Sequence, residues 1–202
     1  MLPITSLGLN HKVSRERIVT GIPRLDAMLG GRGFFRGSSI LLTGTPGTGK
    51  TIVAANFAQA ACRRGERVPF FSFDGSPNQI IRNMHSIGLR LEPLVQRDLL
   101  RFHAARPSLY GLEMHLATIF KEIAAFQPHV VIVDPITSLM DAGTDSECKG
   151  MVTRLIDYLK GGQVTSLFTS LTQGGHVLQQ SQSARHGALE PGPRVPDFER
   201  RH

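Results

Sequence analysis

Tryptophan is absent from the 202 residues, and tyrosine and cysteine occur only twice each. Cys62 and Cys148 stand alone, with neither the close pairing of a metal site nor the even set of a disulfide framework. Both are expected to be reduced thiols in small buried or half-buried positions. No apolar run reaches the roughly 18–20 residues that a membrane-spanning helix needs. The first residues, Met-Leu-Pro-Ile-Thr-Ser-Leu-Gly, lack the charged start and long apolar stretch of a secretory signal. A soluble cytoplasmic chain with no membrane partner is therefore expected. No block of Lys and Arg interleaves with aromatics either. The formal charge of +7 is spread along the chain and reads as a solvated basic surface, so nucleic acid is not an expected partner. The histidines at 11, 85, 103, 115, 129, 176, 186 and 202 show neither zinc nor triad spacing. They are read as surface or satisfied residues.

What is present is enough apolar content, 41%, to build the core of one domain. Ser39–Thr43 is a short apolar run that fits a fully buried parallel strand. Residues 50–64 predict a helix with an apolar face at Ile52, Val53, Phe57 and Ala60, stopped at Gly65. Val68–Phe73 is the next strand, with Pro69 tolerable only near its start. Ser76-Pro77 is a helix start, with Ser76 as N-cap, and that helix runs to about Ile87. Leu99–Phe102 is a strand. Leu112, Leu116, Ile119, Ile123 and Phe126 recur at helical spacing over 111–126. Val130–Val133 is a β-branched strand closed by Asp134, 146–160 a helix and Val164–Thr169 a further strand. Alternating strands and helices predict an α/β fold, a mostly parallel sheet with helices on both faces. Ligands of such sheets bind at the carboxyl ends of the strands. Gly44, Asp74, Asp134 and Thr169 or Ser170 fall at such ends and are expected to share one cleft. No internal repeat is present. From Gly174 onward apolar periodicity stops, and 174–202 is expected to be a disordered tail.

The strongest motif is Gly44-Thr45-Pro46-Gly47-Thr48-Gly49-Lys50-Thr51, a phosphate-binding loop of the Walker A pattern. Glycines let the backbone wrap phosphates with its N–H groups inward, and the following helix points its positive end at them. Lys50 brings a full charge to the β- and γ-phosphates, and the Thr51 hydroxyl is a hard ligand for Mg²⁺. ATP and Mg²⁺ are thus the expected ligands. Asp134, at the end of its strand, can hold the metal opposite Thr51; the bland alternative is a turn or cap Asp. Two strand candidates between these motifs fit a RecA-like P-loop NTPase better than a simple kinase or GTPase. Asp74, at the end of the strand after the loop helix, is the candidate base that orients water near the γ-phosphate, with Lys50 as its electrostatic partner in catalysis. A capping Asp beside Gly75 is the alternative. Thr169, Ser170 and Thr172 are read as hydroxyls that bond the backbone, with γ-phosphate sensing as the alternative.

At these residues the chain resembles the KaiC family of RecA-like ATPases. The similar stretches are Thr20–Asp26, Gly30–Gly37, the phosphate loop, Ser76–Asn83, Val133–Thr137 and Leu167–Thr172. Residues 1–17 resemble the linker into the second of two ATPase repeats, and 18–173 resembles an incomplete ATPase domain. The resemblance implies ATP bound between subunits of a homo-oligomeric ring, usually a hexamer, with ATP hydrolysis. In second repeats it also implies autophosphorylation on Ser or Thr, and in cyanobacterial members a circadian role. Three departures stand out. Asp74-Gly75 replaces a pair of glutamates, the tail shows no further strands and no Lys-x-Arg pair of the kind that reaches a neighbour's γ-phosphate, and the first repeat is absent. A truncated or frameshifted coding region is the expected account of both ends. Three readings follow: a KaiC-like ATPase or autokinase domain, a nucleotide-binding module with little catalysis, and, least supported, a recombinase-type DNA-dependent ATPase.

Overall fold

The computed structural model describes residues 13–172. The expected tail lies outside them, as does most of the expected linker. Arg17, assigned to that linker, opens the first strand instead, because its backbone pairs with Phe35. The strands are β1 (Arg17–Ile18), β2 (Phe34–Phe35), β3 (Ser39–Gly44), β4 (Val68–Ser72), β5 (Leu100–Ala104), β6 (Val130–Asp134) and β7 (Thr165–Leu171). The helices are α1 (Pro23–Met28), α2 (Lys50–Arg63), α3 (Pro77–Ser86), α4 (Glu92–Gln96), α5 (Leu112–Phe126) and α6 (Asp145–Gly161). Short 3-10 helices cover Pro107–Leu109 and Ile136–Ala142.

β1 and β2 form a small antiparallel ribbon, and the other five strands form a parallel sheet in the order β3-β7-β6-β4-β5. Alternation along each strand divides the core in two. Phe70, Val130, Ile132 and Leu167 face α2, α3 and α4, where Ala54, Ala55, Ala58 and Ala61 bring α2 close to the sheet. Phe71, Val131, Val133 and Phe168 face α5 and α6 through Leu116, Ile119, Met151 and Leu155. A fully buried side chain such as Phe57 or Phe70 contributes about 2–3 kcal/mol of burial. Both cysteines are buried as expected, and burial pushes the Cys62 thiol up to about 12, far from thiolate chemistry.

Local signals act as read. The Ser76 hydroxyl accepts from the Gln79 amide and caps α3, with Pro77 in its first turn. Pro69 lies next to the start of β4, where Val68 N–H bonds the Leu99 carbonyl on the β5 side. Registered pairing with β6 begins only at Phe70, one residue past the proline that has no N–H to offer on that side. Thr144 and Glu147 build a reciprocal capping box that starts α6. The expectation of a fully buried strand at Ser39–Thr43 is corrected. β3 is an edge strand paired only with β7 among the described residues, and none of its residues is buried. Leu41 is 61% exposed. An apolar run signals a strand, but its place in the sheet is set by long-range pairing that the run does not encode.

A charge cluster ties the segment before β3 to the far end of α2. Arg36 bonds both oxygens of Glu16 and reaches Glu66 at 2.7 Å. Arg64 bonds Glu66 at 2.8 Å and the Val19 carbonyl at 3.1 Å. Glu66 is buried. Burial pushes its carboxyl up, but the Arg64 and Arg36 guanidiniums outweigh that and hold it below its ordinary 4.5. A carboxylate with a depressed folded-state value stabilises the fold above its unfolded value and loses that effect as pH falls through the folded one. Glu66→Gln is expected to cost about 3 kcal/mol at neutral pH and to flatten the loss of stability below pH 4.5. Denaturant midpoints of both chains across pH 3–7 check this; parallel curves would contradict it.

Candidate functional site

The register of the sheet decides what meets at its carboxyl edge. Gly44 lies opposite Leu171, and Ser72 opposite Asp134. α2 begins at Lys50, directly after the loop. Gly49 sits in the left-handed region at φ +84°, where a side chain would be strained, and a Cβ on Gly44 would come within 2.8 Å of the Thr48 hydroxyl. The left-handed backbone calls for glycine at 49, and a side chain at 44 would push the Thr48 hydroxyl out of its place. Lys50 is buried, and its ammonium donates to the carbonyls of Gly44 at 2.9 Å and Thr45 at 2.7 Å, with the Thr48 hydroxyl at 3.4 Å. Its three donors face its own loop. Thr48 in turn donates to the Thr45 carbonyl at 2.9 Å.

Thr51 and Asp134 come together as the spacing predicts. The Thr51 hydroxyl donates to Asp134 Oδ2 at 2.8 Å. The Thr169 hydroxyl donates to Asp134 Oδ1. Thr169 was expected to bond the backbone; it reaches this carboxylate instead because β7 lies between β3 and β6 in the sheet. Asp134 is 6% exposed and forms no ion pair with a Lys, Arg or His among the described residues. A buried carboxylate with hydroxyl donors and no cationic partner is costly unless a cation arrives. A hydroxyl and a carboxylate in contact are hard oxygen donors suited to Mg²⁺. No group of three or more His, Cys, Asp or Glu among the described residues could hold a metal. A cation here would therefore complete its shell with phosphate oxygens and water.

These residues border a cleft of about 580 Å³. Pro46, Gly47, Gly49, Lys50, Thr51, Asp74 and Asp134 all line it. Gly44, Thr45 and Thr48 lie behind it and hold Lys50. Asp74 is exposed, and its carboxylate has no hydrogen-bond partner among the described residues. Sequence reasoning missed the far wall, formed by Gln79, Ile80, Asn83, Met84 and Ile87 of α3 and its C-cap. The signal was available in the spacing of positions 79 and 83 and of 80, 84 and 87, two adjacent stripes of one helix. Among the histidines, His115 is buried and bonded to the Pro107 carbonyl. His103 stacks on Phe71, and its Nε2, 3.6 Å from Glu122, forms no hydrogen bond. Neither lines the cleft.

A family model described as "ATPase: KaiC" matches residues 18–190. "Circadian clock protein KaiC2" of Synechocystis sp. is 51% identical over 187 residues, which cover 93% of this chain and 33% of that protein. "Circadian clock oscillator protein KaiC" of Picosynechococcus sp. is 35% identical over 184 residues, 90% of this chain and 36% of the relative. The protein of the same name in Synechococcus elongatus is 34% identical over 184 residues, 90% and 35% respectively. The chain spans about a third of the length of these relatives.

The uncompensated charge of Asp134 makes a prediction. Asp134→Asn is expected to unfold no earlier than the parent in Mg²⁺-free buffer, since it removes a buried charge that lacks a partner. Any stabilisation that added Mg²⁺ with ATP produces in the parent is expected to be absent from the variant. A loss of about 3 kcal/mol without Mg²⁺, the cost of breaking a buried pair, would show that a cation of the protein already compensates the carboxylate.

Proposed function

The chain belongs to the KaiC ATPase family, and from that premise we propose that its cleft binds ATP with Mg²⁺ and hydrolyses the γ-phosphate. The observation that carries this reading is the contact of Thr51 with a buried Asp134 at the mouth of a glycine-hinged loop. In this reading the loop amides of Gly44–Thr51 wrap the phosphates, and Lys50 exchanges its loop carbonyls for phosphate oxygens. Thr51 and Asp134 would hold Mg²⁺, which supplies charge neutralisation on the phosphates. Thr169 keeps the Asp134 carboxylate turned toward Thr51. Asp74 accepts a proton from the attacking water, and its lack of any competing partner supports that role. The apolar wall of Ile80, Met84 and Ile87 suits the flat face of a base.

Two finer statements are part of the proposal. Copies of the chain assemble so that a neighbour closes the open side of the cleft, as the resemblance to ring ATPases implies. Transfer of the phosphoryl group to a Ser or Thr hydroxyl, rather than to water, is the family's second outcome for the same geometry. A different reading, a module that holds ATP without turning it over, is favoured by one observation. Asp74 is exposed and, with Asp134 committed to Thr51 and Thr169, is the only other carboxylate lining the cleft among the described residues.

Purified chain with Mg²⁺ and ATP is expected to release phosphate steadily. Lys50→Ala is expected to weaken ATP binding by about 10- to 100-fold, the worth of charge-assisted hydrogen bonds, and to abolish release. Asp74→Asn is expected to leave binding in place and lower turnover by about 100-fold. Tight binding with no release from the parent would select the module reading. Light scattering with and without Mg²⁺-ATP reads assembly in the same samples; a monomer in both would remove the shared-site proposal.

A further inference from the structure

The carboxylate of Asp74 makes no hydrogen bond among the described residues, so its aim comes from its backbone alone. That backbone is thin. The turn is bounded on one side by the nucleotide cleft and on the other by a second cavity of about 430 Å³ at the carboxyl ends of β4 and β5. Ser72, Asp74, Gly75 and Gln79 line both. Open space on two sides leaves Asp74 itself exposed, and the side-chain packing that holds the turn is that of its buried neighbour Phe73.

What spans it is one hydroxyl. Ser72, 2% exposed at the end of β4, donates from Oγ to the Gly75 carbonyl at 2.7 Å and accepts from the Gly75 amide at 3.2 Å. Both ends of the Gly75 residue are thereby tied to the strand, across Phe73 and Asp74. The other anchor is the Phe73 amide, which donates to the Asp134 carbonyl at 3.0 Å, with the Phe73 ring buried edge-on to His115. Asp74 stands between these two anchors. Fixing one residue's backbone costs about 1–2 kcal/mol of entropy. A turn held before nucleotide arrives does not have to meet that cost at the moment of reaction.

We infer that Ser72 is a positioning residue of the ATPase site, whose hydroxyl clips the Phe73–Gly75 turn and so aims the Asp74 carboxylate into the nucleotide cleft. The inference rests on the hydrolytic reading above. Ser72 touches neither phosphate nor water in it; it acts through Asp74.

The test compares Ser72→Ala, Ser72→Cys and Ser72→Thr with the parent, using Mg²⁺-ATP turnover, KM, and affinity for a fluorescent ATP analogue. Cysteine keeps the volume but bonds weakly, and threonine keeps the hydroxyl. Ala and Cys are expected to lower kcat by roughly 10- to 100-fold, the effect of a misplaced catalytic group. KM and analogue affinity should stay within about twofold, while Thr restores kcat. Parental kcat in Ala or Cys overturns the positioning role and leaves the hydrolytic reading standing. So does a Cys variant in which turnover and affinity fall together, since a purely structural hydroxyl would act that way. A parent that binds the analogue yet releases no phosphate removes the hydrolytic reading, and the positioning role with it.

Discussion

The carboxylate of Asp134 is the point at which three separate stretches of chain are forced into one geometry. It is buried, it carries charge, and it is served by hydroxyls rather than by a cation. A group of that kind tolerates little displacement, because each lost donor exposes more of an uncompensated charge to a low-dielectric interior. Thr51 is the second residue of α2 and Thr169 lies on β7. The contact therefore fixes the rotation of α2, the height of the phosphate loop above the sheet and the register of the strand between β3 and β6. The sheet order places β7 where its hydroxyl can reach this carboxylate.

The turn that carries Asp74 follows a different design. Among the described residues nothing polar holds the carboxylate itself, and the surrounding space is open. Its direction is inherited from a hydroxyl clip behind it and from an amide that reaches the Asp134 carbonyl. The two acidic residues of the cleft are thus linked through one backbone bond, although their side chains do not touch. One is held tightly by direct bonds; the other is left free to meet a ligand.

Much of this was legible because it is local. The glycine loop, the Ser76-Pro77 start and the period of α5 each rest on chemistry within a few residues, and each element forms where its pattern falls. The convergence of Lys50, Thr51, Asp74 and Asp134 was legible because strand-end residues of a parallel sheet share an edge. Three things were not. The partner of Thr169 depends on which strand lies beside which, a long-range outcome. The bonds of Ser72 depend on the path of a turn whose sequence, Phe73-Asp74-Gly75, names no unique geometry. The exposure of β3 depends on strand order, and an apolar run of five residues looks alike at the centre and at the edge of a sheet. The missed wall of α3 differs from these. Its stripes were in the sequence, hidden because attention to glycines and carboxylates gives an apolar surface no weight.

The edge position of β3 carries a mechanical consequence. Among the described residues the strand that delivers the phosphate loop hangs from one ladder of six registered pairs to β7, while β4 and β6 are each clamped from two sides. Stiffness against sliding or peeling scales with the number of flanking ladders, so the loop is mounted on a more compliant beam than β4, β6 or β7, each of which has two. Its compliance is directional: toward β7 it is braced, and away from it Leu41 meets solvent. Any strand laid along that outer edge would stiffen the mount of the phosphate loop without touching the nucleotide.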